Sequence, residues 1–257
     1  MVIVLQILFV LGLIVLIILF VFKTKRIADI IPLPDNYKLL LNDYVKFYQQ
    51  LDEDGRKKFE ERVQHFLSAV QITGVNAIVE DIDRIFIAAG AIIPVYSFPD
   101  WQYVNLHEVL LYPGTFNEDF DQAGMHRPIT GMVGSGAMQN VMIISKWQLR
   151  QGFINNQDNR NTAIHEFVHL IDKMDGTMDG VPEIILERQY INRWINLMDI
   201  TIQQMRRQGS DIDMYGATNQ VEFFAVISEH FFERPDLLKA NHSELHEMLV
   251  RIYKTAG

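Results

Sequence analysis

Two histidines and a glutamate stand together in Thr162-Ala163-Ile164-His165-Glu166-Phe167-Val168-His169-Leu170-Ile171-Asp172. His165 and His169 are four residues apart, so a helix presents both imidazoles on one face, aimed at one ion. Neutral imidazole is a good zinc ligand. Glu166 can reach a water on that ion without binding the ion itself. It would serve as general base as the water attacks a carbonyl, while zinc polarises that carbonyl and lowers the water pKa towards ~7. The flanking Ala163, Ile164, Phe167, Val168, Leu170 and Ile171 are apolar, which predicts a buried helix. Polar groups on such a helix need compensation, and a metal supplies it. The pattern therefore points to one Zn2+ per chain and to hydrolysis of peptide bonds.

A catalytic zinc site takes a third protein ligand and keeps one position open. The chain has no cysteine, so thiolate ligands, disulfides and cysteine nucleophiles are excluded and the third ligand is His, Asp or Glu. Asp175 stands six residues after His169, but a compact HExxHxxGxxH-like site needs glycine where Asp172 stands. Glu183 and Glu187 open a downstream helix. Glu222 lies in Asn219-Gln220-Val221-Glu222, which also fits a helix capping box. Periodicity leaves these alternatives open.

The elements that must position these residues are mostly helical. Helical spacing is read over 35–51, over Asp54–Val70 (Phe59, Val63, Phe66, Leu67, Val70) and over Glu80–Ala91. Further helices are expected at 161–173, 182–206, 219–232 and 243–253. Val104–Tyr112 and Asn140–Ser145 read as strands. The glycine-rich stretch 131–136 is not followed by Gly-Lys-Ser/Thr, so it reads as a hairpin or flexible turn rather than a phosphate loop.

Residues 2–22 are almost wholly Val, Ile, Leu and Phe, interrupted by Gln6 and Gly12 and free of charge. At ~1.5 Å per residue such a run spans roughly 30 Å, the bilayer core. It lacks the basic start and small-residue cleavage site of a secretory signal, so a retained anchor is expected. Lys23, Lys25 and Arg26 follow it, which predicts a single-pass inner-membrane protein with its catalytic domain on the cytoplasmic side. Ile31-Pro32-Leu33-Pro34 reads as an extended linker. The expected domains are an anchor with basic flank at 1–26, a linker at 27–35 and a metallopeptidase domain at 36–257. That domain divides into a helical preface at 36–92 and a catalytic core at 93–257. The formal charge of −9 argues against a nucleic-acid partner, which would require a basic footprint.

The segments HEFVHLIDKMDG (165–176), YGATNQVEFFAVISEHFFERP (215–235), HEVLLYPGTF (107–116) and the NVMIIS strand resemble the Mlc titration factor A family of zinc peptidases. HEFVHLID also resembles the catalytic helix of anthrax lethal factor. The resemblance implies a mainly helical α+β, zincin-like domain with a small sheet and two active-site helices, of the gluzincin type. It implies His165, His169 and Glu222 as zinc ligands, Glu166 as base and Tyr215 as oxyanion donor, since a phenol can donate to developing charge. Asp172 and Glu229 are candidates for backing the ligands through hydrogen bonds. An edge strand before the zinc helix commonly pairs with extended substrate in such peptidases, which nominates Met142, Ile143 and Ile144. The implied partners are a peptide or protein substrate and, from the family name, a transcription regulator. Binding and sequestering such a regulator is the alternative function.

Overall fold

The computed structural model describes residues 30–123, 128–155 and 160–254. The chain opens with α1 (Tyr37–Tyr44), α2 (Lys46–Gln49) and α3 (Glu53–Ala69), then β1 (Gln71–Gly74) and α4 (Asp81–Ile92). The middle holds β2 (Glu108–Tyr112), β3 (Gly131–Val133), β4 (Val141–Ser145) and α5 (Lys146–Ile154). The last part is helical: α6 (Thr162–Asp172), α7 (Arg188–Gln208), α8 (Gln220–Glu233), α9 (Pro235–Asn241) and α10 (Ser243–Tyr253).

Local chemistry sets most of the boundaries. Asp52 starts α3 by accepting from the Gly55 N–H at 2.7 Å, and Asn161 starts α6 by accepting from Ile164 N–H at 3.2 Å. The buried Asp83 accepts from the Glu80 N–H at 2.9 Å at the start of α4. It also receives Arg150 of α5 at 2.7 Å, so one carboxylate ties two helices together. The expected single helix over 35–51 is divided at Val45, whose backbone is extended. The helix expected from Pro182 begins instead at Arg188. β1, α5 and α9 were not expected, because each is too short for its periodicity to register.

The sheet has the order β1-β2-β4-β3. β1 and β2 are parallel, β2 and β4 are parallel, and β3 runs antiparallel along the outer side of β4. Val109, Leu111, Met142 and Ile144 face the main core, whereas Tyr112 and Ile143 join Phe116 in a small cluster on the opposite face. That alternation is the period-two pattern of strands buried on both sides.

Helix α6 lies at the centre of the core. On one side α4 approaches closely: a Cβ on Gly90 would fall 2.5 Å from the Ala163 Cβ, so only glycine permits this separation. Phe167 packs against Phe66 of α3 and Tyr103, with ring centres 5.5 and 5.1 Å away. On the other side α6 meets α8, which is backed by Trp194 of α7 and Tyr253 of α10 through Phe224. Each such aromatic contributes roughly 1.5–3 kcal/mol by leaving water.

The transmembrane helix expected over residues 2–22 lies outside the described residues. Among the described residues no helix is long and apolar enough to cross a membrane. The longest, α7, has a bilayer's length but carries Arg188, Arg193, Asp199, Arg206 and Arg207. The expected fold class is corrected accordingly to a mainly helical α+β fold with a small mixed sheet and no membrane helix in the described fold. The expected single-pass inner-membrane placement and membrane contact rested on that helix alone, and they are corrected with it.

Candidate metal centre

The side chains of His165, His169 and Glu222 come together across the α6–α8 contact, with one ligand atom from each all within 4.8 Å of one another. The two imidazoles project from successive turns of α6, their ring centres 4.7 Å apart and their planes nearly perpendicular. Glu222 sits in the first turn of α8. Asn219 caps that helix by accepting from the Glu222 N–H at 2.9 Å. The Glu222 carboxylate turns towards the histidines, placing Oε2 3.1 Å from His165 Nε2 and 3.5 Å from His169 Nε2. The cap and the cluster thus use different groups of the same residue.

This donor set fits a divalent cation. Two ligands each ~2.0–2.2 Å from a tetrahedral ion stand about 3.3–3.6 Å apart, close to the 3.1 and 3.5 Å from the two imidazoles to Glu222. Glu229, seven residues along α8 from Glu222, holds His165 Nδ1 at 2.7 Å. With the proton on Nδ1, Nε2 presents a lone pair to the shared point, the tautomer that metal binding requires. The electrostatics favour positive charge there too. Burial opposes a charge on His165, yet the Glu229 and Glu222 carboxylates outweigh it and hold its pKa well above the usual histidine range. Burial would raise Glu222, but hydrogen bonds from both imidazoles hold it well below the carboxylate range.

Glu166 is buried beside the cluster, its Oε2 without a hydrogen-bond partner among the described residues. Burial raises its pKa, with the two imidazoles working against the rise. Its carboxylate lies against the backbone of Gly131, where any Cβ would overlap it. The glycine expected to serve a turn therefore makes room for Glu166. Tyr215 stands on the turn Met214–Ala217, its ring centre 6.0 Å from that of His165. Burial and the Glu222 and Glu166 carboxylates push its phenol up to about 12, so it keeps its proton and can donate. His165, Glu166, Tyr215 and Glu229 share a cleft of about 680 Å³ with Gly131, Arg160 and Asp213.

Other expected residues fall elsewhere. Asp172 is buried and accepts from the Gly180 N–H at 2.8 Å, while the Nδ1 of His169 has no partner among the described residues. Asp175 accepts from Thr177 and from the Glu183 N–H, and neither it nor Glu183 nor Glu187 belongs to the cluster. Met142, Ile143 and Ile144 lie on β4, whose two edges are taken by β2 and β3, so no substrate strand can pair there. Among the described residues the outer strands of the sheet are β1 and β3, and β3 is the one that borders the cleft. Gly131 and Asp213 carried no signal in the sequence beyond their turn-forming types, and Arg160 carried none.

A mainly helical α+β fold carrying a His-His-Glu cluster on two packed helices defines a candidate metal-site protein. The sequence model of the glucose-regulated metallo-peptidase M90 family matches residues 20–254, and the chain belongs to that family. It is similar to an uncharacterized protein, slr2042, of Synechocystis sp., with 34% identity over 86% of this chain and 84% of the relative. It is also similar to Mlc titration factor A of Yersinia pestis and of Yersinia pseudotuberculosis, each 32% identical over 58% of either chain. Family membership makes the chain a metallopeptidase acting on a peptide or protein.

Proposed function

We propose that this chain hydrolyses peptide bonds at a single zinc ion held by His165, His169 and Glu222, a gluzincin-type arrangement. The observation that carries the reading is the convergence of His165 Nε2 and His169 Nε2 on Glu222 Oε2, with the Glu166 carboxylate beside them. Zinc, when bound, would supply Lewis-acid polarisation of the scissile carbonyl and acidify the attacking water. Glu166 takes that water's proton on its unpartnered Oε2 and returns it to the leaving amine. Its raised pKa brings it nearer to neutrality, where a base also works well as an acid. Tyr215 donates its phenol proton in a hydrogen bond to the oxygen on which negative charge develops. Glu229 keeps His165 in its binding tautomer.

The peptide lies along β3. Ser145 N–H donates to Thr130 O, and Gly134 N–H donates to Val141 O, each at 2.8 Å. Antiparallel alternation then turns the backbone groups of Gly131 and Val133 away from β4, towards the position a substrate strand would take. Main-chain pairing of this kind holds a peptide with little demand on its sequence.

Glu166→Gln tests the mechanism. It should retain zinc by metal analysis and lose at least ~100-fold in peptide cleavage. Equal activity in this variant and the wild type would sink the assignment of the base. The similarity to Mlc titration factor A favours a second reading, in which the chain binds and sequesters a transcription regulator. A stoichiometric protein partner whose binding survives Glu166→Gln would support it.

A further inference from the structure

The turn that carries Tyr215 is fastened by an arginine at each end. At its far end Arg206 of α7 donates to Ala217 O and Thr218 O, both at 2.8 Å. Its near end rests on Asp213, whose Oδ1 accepts from the Tyr215 N–H at 3.0 Å. The other oxygen, Oδ2, lies 2.6 Å from both Nε and Nη2 of Arg160. Arg160 directly precedes Asn161, which is held in turn by α8. The Asn161 N–H donates to Glu229 Oε2 at 2.5 Å, and its side chain donates to Glu233 at 2.9 Å. Glu229 completes the line by meeting His165 Nδ1 at 2.7 Å. Two runs of polar contacts, joined by the Arg160–Asn161 peptide bond, thus connect the backbone of Tyr215 to an imidazole of the metal cluster.

The Arg160–Asp213 pair is open to water on the arginine side, with 73% of the Arg160 side chain and 23% of the Asp213 side chain exposed. Exposed pairs of this kind add little to global stability. Packing does little for the near end of the turn either, since Met214 and Tyr215 are both about half exposed. What the pair fixes is the spacing of two cleft walls, the loop before α6 and the turn before α8. We propose that Arg160 is a positioning residue which, through Asp213, holds the Tyr215 phenol in register with the metal cluster during peptide hydrolysis. The proposal rests on the reading of Tyr215 as oxyanion donor. Such a donor must be placed within about 0.5 Å, and a displacement of ~1 Å can cost ~100-fold in rate.

The test compares wild type, Arg160→Ala, Arg160→Lys, Tyr215→Phe and the Arg160→Ala/Tyr215→Phe double variant, all zinc-loaded, on one fluorogenic peptide that the wild type cleaves. Hydrogen exchange of the 213–218 segment is followed in the metal-free proteins. Arg160→Ala should lower kcat roughly tenfold, leave KM within about twofold and keep Tm nearly unchanged. Exchange in 213–218 should quicken, and Arg160→Lys should recover part of the loss. In the Tyr215→Phe background, Arg160→Ala should lower kcat no further. The proposal is overturned by wild-type kcat in Arg160→Ala beside an impaired Tyr215→Phe. It is equally overturned by an undiminished effect of Arg160→Ala in the Tyr215→Phe background, or by a rise in KM alone. Failure of the functional reading looks different: Tyr215→Phe itself would then cleave as well as wild type.

Discussion

Glu222 occupies the first turn of α8, where the helix dipole favours a carboxylate, and both imidazoles draw it below its usual pKa. Truncating it removes one of three ligands, so Glu222→Ala should lose zinc on dialysis while Asp175→Ala keeps it. Zinc retained by Glu222→Ala would remove Glu222 from the site. Glu166 sits against Gly131 with no space between them, so Gly131→Ala must displace the base. That variant should keep its zinc and its fold, yet fall at least ~10-fold in kcat. Asp172 shows a different effect of burial. Loss of solvation raises its carboxyl to about 7, with Asp179 and Asp175 adding to the rise and the Gly180 N–H opposing it. Its unfolded value is ~3.9, so the folded state holds the proton more tightly. The associated stability is full below pH ~4 and is lost as pH rises through about 7. Asp172→Asn still accepts from Gly180 and should flatten this dependence. The metal-free wild type should lose about 2–4 kcal/mol more than the variant between pH ~4 and ~8 in urea titrations. Parallel profiles would show that Asp172 ionises freely.

At the scale of elements, the position of α6 depends on how near α4 can come. A Cβ on Gly90 would meet the Cβ of Ala163 first and its backbone next, and neither has room to yield without moving a helix. Gly90→Ala gains up to ~1 kcal/mol in helix propensity, but overpacking costs ~1–3 kcal/mol. The overpacking should win, lowering Tm and weakening zinc binding as α6 shifts; a Tm at or above wild type would contradict the close approach. The long helices were legible in the sequence because a buried stripe repeats along each of them. Residues 162–172, 220–233 and 243–253 match the expected helices within a residue or two. β3 was not legible: Gly131-Met132-Val133 has neither alternation nor length, and its strand form comes from pairing with β4. The substrate edge was assigned to β4 for the same reason, since a strand's neighbours are invisible in its own residues.

Across the described residues the main core runs from Leu40 to Tyr253 and includes the apolar residues of α6 and α8 that back the metal cluster. The cluster is assembled only when α6 and α8 pack, so zinc binds the folded state far better than the unfolded one. Linkage then raises stability by RT ln(1 + [Zn]/Kd), about 4 kcal/mol at a thousandfold excess over Kd. Stripping the metal with a chelator should therefore lower Tm by several degrees, and adding zinc back should restore it. An unchanged Tm would mean that the cluster binds metal weakly or not at all.

The helix bearing His165, Glu166 and His169 was determined by the sequence alone, because its ligand spacing and its apolar flanks are both properties of one short segment. The absence of cysteine likewise settled by itself which residue types could bind metal. The partners of that helix required the tertiary structure. Glu222 reaches the histidines, Gly131 touches Glu166 and Arg160 meets Asp213 only through the packing of elements distant in the chain. Helical periodicity shows which face of a segment is buried, but not what lies against it. Contacts between segments depend on side-chain volumes and sheet order across the whole core, and those are fixed only when the chain folds.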